Sequence, residues 1–186
     1  MKRLTVLFTL LASLFGMQMQ AQNNRSEMKI LVAYYSYSGN TRAVAEQIGQ
    51  ATGADIFMID VKESYPSDYQ ALLDRAKQEI EQGVKPALKA MPKDLAQYDV
   101  IFVGSPNWWS TIAPPVATFL ANGDFSGKTV IPFVTHGGGG MAKCESAVKQ
   151  LCPQSRFLKG YAVNGSSVGR SKAQVERWLR EIGIIQ

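Results

Sequence analysis

At 186 residues the chain is sized for one domain with an ample core, and no second domain is evident in its pattern. Its net charge of +5 is spread along the chain without a Lys/Arg block, which gives nucleic-acid or lipid binding no particular support. Lys2 and Arg3 precede an apolar run from Leu4 to Phe15, and Met19-Gln20-Ala21 offers a small-residue cleavage site. That arrangement predicts a signal peptide over residues 1–21, since the run is too short and wrongly flanked for a membrane anchor. No Cys follows the run and no twin-arginine pair precedes it, so the expectation is an exported, periplasmic or secreted protein without a lipid anchor. Removal near Ala21 takes away Lys2 and Arg3 and no acid, which lowers the charge from +5 to +3. Residues 22–27 read as a short leader and 28–186 as the single folded domain.

The apolar run Met28–Ala33 leads into Tyr34-Tyr35-Ser36-Tyr37-Ser38-Gly39-Asn40-Thr41, which reads as a buried strand, a hydroxyl-rich turn and a helix opening at about Asn40. Such a turn gathers hydroxyls and unpaired helix N-terminal amides around one point, as a phosphate monoester requires. Further strands are predicted at Asp55–Val61, Val100–Ser105, Thr129–Thr135 and Phe157–Val163, with the first over Lys29–Tyr35. Several are near-continuous in Val, Ile, Leu and Phe, as in parallel strands covered on both faces. Helices are predicted at Asn40–Ala51, Ser67–Gln82, Pro114–Ala121, Met141–Leu151 and Ser171–Ile182. Their apolar stripes recur at helical spacing: Val44, Ile48 and Ala51; Leu72, Leu73, Ala76 and Ile80; Val175, Trp178, Leu179 and Ile182. Ser67 and Ser171 stand three residues before Gln70 and Gln174, a capping-box pattern. Five strands alternating with five helices predict a doubly wound α/β sheet, which binds ligands beyond the carboxyl ends of its strands.

Three loops should therefore share one edge. They are Ser36–Thr41, Ser105-Pro106-Asn107-Trp108-Trp109-Ser110-Thr111, and Thr135-His136-Gly137-Gly138-Gly139-Gly140. Together they supply an anion cradle, an aromatic wall and a run of free backbone amides. Four consecutive glycines carry a high entropic cost unless backbone must approach something closely.

These loops resemble those of the flavodoxin-like family. Its phosphate loop has the pattern Ser/Thr-x-Ser/Thr-Gly-x-Thr, matched by Ser36, Ser38, Gly39 and Thr41; Pro106-Asn107-Trp108-Trp109 and Thr135-His136-Gly137-Gly138 match its small members with Pro-x-Trp-Trp and Thr-His-Gly-Gly loops. The resemblance spans about Met28 to Ile184 and implies a short-chain, five-stranded parallel sheet in the order 2-1-3-4-5. It also implies FMN as cofactor. The phosphate would be held by Ser36, Ser38, Thr41 and the amides of Gly39 and Asn40, with Tyr37 reaching over the phosphate or ribityl chain. The ring would lie between Pro106, Asn107, Trp108 and Trp109 on one side and Thr135, His136, Gly137, Gly138 and Gly139 on the other. One departure is Gly140, which stands where similar sequences often carry Ser.

The single histidine, His136, is either a solvated loop side chain or a donor beside the pyrimidine end of the flavin. A donor there would stabilise negative charge on the reduced ring and raise the two-electron potential. The expectation is an FMN-dependent oxidoreductase, resembling NAD(P)H:quinone reductases, with His136 as its catalytic candidate. The alternative is a non-catalytic electron carrier or flavin module serving a protein partner. Partners expected are FMN, an electron donor and an acceptor such as a quinone, with no nucleic acid and no stable membrane anchor, in a monomer or homodimer. No metal cluster is expected. A nicotinamide fingerprint is missing after the first strand, Gly127-Lys128-Thr129 precedes a strand and lacks the P-loop's earlier glycine, and no G-x-S-x-G elbow exists. Gly165–Gly169 is expected to be a turn rather than a lid. Cys144 and Cys152 could pair only if their helix ends before Cys152.

Overall fold

The computed structural model describes residues 28–186; the expected signal peptide and leader lie outside the described residues. A parallel sheet runs through β1 (Ile30–Tyr34), β2 (Asp55–Met58), β3 (Val100–Trp108), β5 (Thr129–His136) and a divided fifth position formed by β6 (Arg156–Phe157) and β7 (Tyr161–Asn164). The order β2-β1-β3-β5-β6/β7 is the expected 2-1-3-4-5 arrangement. Two short additions raise the strand count: the divided fifth strand, and β4 (Thr111–Ile112), which folds back antiparallel on β3.

Helices cover both faces, which is why the inner strands are apolar at every position. On one face α1 (Asn40–Thr52) and α5 (Lys172–Glu181) enclose Val32, Phe102, Ile131, Phe133, Val44, Ile48, Val175 and Leu179. On the other, α2 (Tyr69–Gln82), α3 (Pro114–Asn122) and α4 (Cys144–Leu151) enclose Leu31, Ile101, Val103, Phe119, Val130 and Val148. Alternate residues of β3 thus serve opposite cores, each fully buried Ile or Phe contributing roughly 1.5–3 kcal/mol.

Several expectations need correction. The fifth strand is interrupted because the β5–β7 register is one residue longer than the β5–β6 register: Val130 faces Phe157 whereas Phe133 faces Tyr161. The extra residue falls opposite Pro132, which has no N–H to give a ladder, and Gly160 lets the bulged chain pass the Pro132 carbonyl. The second strand stops at Met58, and Val61 makes only an isolated bridge to Leu88. Neither capping box forms. At α2 the cap is Asp68, whose Oδ1 accepts from the Ala71 amide at 2.8 Å, so the helix starts at Tyr69. At α5 the Ser171 hydroxyl instead shares its one proton between the Val168 carbonyl, at 2.8 Å, and the Gln47 amide oxygen, at 2.9 Å. The helix expected from Met141 begins at Cys144, since Ala142 takes a left-handed φ of 44°. Cys144 and Cys152 are both free and buried; burial pushes their thiols up to about 12 and about 11, which keeps them protonated.

Candidate functional site

The carboxyl end of β1 passes through Tyr35–Ser38 into α1. The turn closes on Gly39, whose φ of 89° suits glycine, and no side chain caps the helix. The first amides of α1 are therefore left for an external acceptor. Three residues before Gly39, the Ser36 hydroxyl is buried with no hydrogen-bond partner among the described residues. An orphaned buried hydroxyl at an uncapped helix start is the donor set of an anion site. Ser38 and Asn40 line the adjoining cavity. The Thr41 Oγ1 is buried 2.8 Å from Thr135 Oγ1, and this bond ties the first loop to the third. Gly165 backs the same corner, where a Cβ would sit 2.6 Å from Asn40 Nδ2. Residues 165–170 form a 3-10 turn packed there, not a lid. Gly165→Ala is accordingly expected to displace Asn40 and weaken phosphate-ester binding about tenfold, read by ligand titration.

The second loop is the tip of the β3–β4 hairpin. Trp109 and Ser110 occupy its two turn positions with φ of 50° and 68°, conformations that favour Asn and Gly. Tertiary contacts hold them: the Trp109 indole N–H donates to the Leu73 carbonyl at 3.2 Å, and the Ser110 carbonyl accepts from the Lys143 amide at 2.9 Å. Lys77 Nζ lies 5.4 Å above the Trp109 ring.

In the third loop His136 Nδ1 accepts from the Gly138 amide at 3.1 Å. This bond leaves Nε2 as the protonated nitrogen of the neutral ring. Asn107 Nδ2 donates to the Gly140 carbonyl at 2.8 Å and fastens the second loop to the third. Gly139 is the close approach, since a Cβ would come within 3.2 Å of Asn107 Nδ2. Gly140 has a φ of 62°, a left-handed conformation in which a side chain would be strained.

The three loops meet at a cavity of about 500 Å³. Tyr37, Pro106, Asn107, Trp108, Trp109, His136 and Gly137 line it with Ser38 and Asn40. Ser36, Gly39, Thr41, Thr135, Gly138 and Gly139 are not on its wall. Tyr37 leans out, its hydroxyl donating to the Pro66 carbonyl at 2.6 Å. The remaining wall comes from α2, through Tyr69, Leu72, Leu73 and Ala76, none of which was anticipated. The signal was there: Tyr69, Leu73 and Ala76 form their own i, i+4, i+7 stripe beside the one that carries Leu72 into the core.

Behind Trp108 lies an aromatic cluster, with Tyr65 at 5.0 Å and Tyr35 at 5.6 Å between ring centroids. The Tyr65 hydroxyl donates to Glu79 Oε2, and Arg75 Nε donates to Glu79 Oε1 at 2.8 Å. Burial, reinforced by the Glu79 carboxylate, raises the Tyr65 phenol well above its ordinary range.

An uncapped helix start beneath an aromatic slot, at the carboxyl edge of a 2-1-3-4-5 sheet, defines a phosphate-ester site of the doubly wound class. The comparisons narrow it: the flavodoxin family profile matches residues 29–182, and the chain belongs to that family. A Bacteroides uniformis protein assigned as a flavoprotein is 32% identical with a TM-score of 0.74, covering 82% of this chain and 98% of that one. A Lactobacillus acidophilus flavoprotein, solved in complex with FMN, is 27% identical with a TM-score of 0.65, covering 77% of this chain and 97% of that one. A Cupriavidus metallidurans NAD(P)H dehydrogenase (quinone) is 32% identical over 124 residues, covering 59% of each chain. The match thus spans little more than half the length of that relative.

Proposed function

We propose that this chain is an exported FMN-dependent oxidoreductase that passes electrons or hydride to a small acceptor such as a quinone. One observation carries the cofactor: the buried Ser36 hydroxyl, without a partner among the described residues, in the loop that leads into the uncapped start of α1, where Ser38 and Asn40 line a cavity walled by Trp108 and His136. These residues fit a planar phosphate ester. Ser36, Ser38 and the α1 amides would hold the phosphate, and the Trp108 and His136 walls would hold the ring. FMN supplies reversible one- and two-electron transfer when bound. The chain's own residues do the rest. Thr41, Thr135, Asn107 and Gly140 fix the loops to one another, and Leu72, Leu73 and Ala76 of α2 give the cavity an apolar wall.

His136 is the proposed electrostatic tuner. With Nδ1 engaged by Gly138, its Nε2–H is the donor left for negative charge that develops in the cavity on reduction. His136→Ala is expected to lower the two-electron midpoint potential by about 30–60 mV, the equivalent of one charge-assisted bond of about 1.5–3 kcal/mol. An unchanged potential removes this role.

Quinone reduction is supported by similarity to the Cupriavidus relative, and export by the charged, apolar and small-residue pattern of residues 1–21. A second reading, a carrier serving a protein partner, is favoured by the cavity rim, where Tyr69 is 70% and Trp109 50% exposed. Titrating the apoprotein with FMN tests the first step; a protein that takes up no FMN overturns the proposal. In the loaded protein, NADPH oxidation accelerated by a soluble quinone supports the enzyme, and its absence favours the carrier.

A further inference from the structure

The Tyr65–Glu79 pair is unused by the function just proposed, yet it is the most specialised polar contact in the core. Both residues are only 8% exposed. Tyr65 stands nearly edge-on to Trp108, at 78° between ring planes, and Trp108 faces the cavity. Its hydroxyl hydrogen points at a carboxylate whose second oxygen is held by Arg75. The Arg75 guanidinium also covers the Tyr65 ring at 4.6 Å and reaches Glu63 Oε1 at 3.2 Å and the Ser64 carbonyl at 3.1 Å. Packing alone would be served by phenylalanine and a neutral residue, since burying a carboxylate is costly.

We propose that Trp108, Tyr65 and Glu79 form a proton-coupled oxidation path, which draws an electron hole from the cavity wall into Tyr65. A one-electron oxidant at the cavity takes an electron from Trp108. An electron then passes from Tyr65 to Trp108, restoring the indole. The Tyr65 O–H bond breaks and its proton forms a new O–H bond at Glu79 Oε2. The products are a neutral tyrosyl beside a neutral carboxylic acid, with Arg75 still donating to Oε1. A one-electron reductant at the cavity then supplies the missing electron through Trp108, and the proton returns from Glu79 Oε2 to the Tyr65 oxygen. The path moves oxidising equivalents off the ring that faces bound ligand.

Chemistry singles out this tyrosine. A phenol stripped of an electron is strongly acidic, so its oxidation is favourable only where a base takes the proton in the same step. At rest the phenol is protonated, because burial and the carboxylate both raise it, so the proton is in place. Among the described residues the other tyrosines near tryptophans lack such a base: Tyr35, 5.6 Å from Trp108, has no carboxylate hydrogen-bonded to its hydroxyl. Tyr37, 6.2 Å from Trp108, donates to the Pro66 carbonyl. Tyr161 stacks on Trp178 at 5.1 Å, but its hydroxyl meets the Gln174 amide oxygen, at 3.4 Å, and the Ser171 side chain, neither of them a carboxylate. The molecule thus contains its own controls: of the four Trp–Tyr pairs among the described residues, the Tyr161–Trp178 pair matches Tyr65–Trp108 in spacing, 5.1 against 5.0 Å, but has no carboxylate at its phenol.

Azide radicals generated by pulse radiolysis oxidise tryptophan in one-electron steps and need no flavin, so the result stands or falls apart from FMN binding. In the full chain, indolyl absorption should decay as tyrosyl absorption grows, and the growth should slow in heavy water. Tyr65→Phe should abolish most of that growth, Glu79→Gln should slow it several-fold, and Tyr161→Phe should leave it unchanged. Circular dichroism identifies folded variants, and the heavy-water effect is read on the unaltered chain. Tyrosyl growth that survives Tyr65→Phe, or shows no heavy-water effect, overturns the proposal.

Discussion

Gly104→Ala is expected to lower the melting temperature by about 4–12 °C, corresponding to about 2–3 kcal/mol of overpacking in a domain of this size. Gly104 lies in β3 directly opposite Phe133 of β5, and the phenylalanine ring lies across the space a side chain would occupy. A Cβ there would stand 2.2 Å from Phe133 Cζ, and 2.6 and 2.8 Å from the two Cε atoms. Phe133 is fully buried among the α1 and α5 contacts, so the ring cannot swing clear. The strain should reach the ligand site too, because the Gly104 carbonyl accepts from the Tyr35 amide at 3.0 Å, one residue before Ser36. Combining the change with Phe133→Leu should recover about 1 kcal/mol or more relative to the sum of the single variants, since the two side chains contest one space. Strict additivity in a thermal-denaturation cycle would refute this explanation.

The contrast between Gly104 and the glycines of the third loop shows what the chain's pattern reveals. Parallel strands covered on both faces leave uninterrupted apolar runs, so β1, β3 and β5 are evident from composition alone. The sheet order followed from resemblance, and the family match supports it. What escaped depended on contacts between distant residues. The break between β6 and β7 comes from Pro132, a residue of a different strand. The α2 cap moved to Asp68 because carboxylate and hydroxyl competed one residue apart, and the carboxylate is the partner found. The β4 hairpin was invisible because Trp-Ser is a poor turn pair; its left-handed backbone is imposed by Leu73 and Lys143, far away in sequence.

At the site, nine of the expected residues share one cavity, because all three loops leave the same edge of the sheet. The loops were legible as clusters of hydroxyls, aromatics and glycines. Their division of labour was not. Thr41 matches the phosphate-loop pattern as well as Ser36 does, yet its hydroxyl is bonded to Thr135 whereas that of Ser36 has no partner. No local rule separates the two, since the difference depends on where β5 ends. The α2 wall was hidden in a stripe that reads equally well as core.

That difference between two hydroxyls makes Ser36→Ala a change with opposite signs in two measurements. Removing a buried hydroxyl that lacks a partner should stabilise the ligand-free protein by about 1–2 kcal/mol, because the folded state no longer carries an unsatisfied group. The same change should weaken FMN about tenfold or more, the loss of one hydrogen bond to a charged phosphate. Ligand stabilises the folded state in proportion to the logarithm of its concentration over Kd, so the melting curves of Ser36→Ala and the unaltered chain should cross as FMN is added. Thr41→Val should behave differently. It breaks the Thr41–Thr135 bond, leaves the Thr135 hydroxyl buried, and should lower both stability and affinity with no crossing. Parallel curves for Ser36→Ala would mean that its hydroxyl does not meet the ligand, and the phosphate would then have to be held by Ser38 and the α1 amides alone.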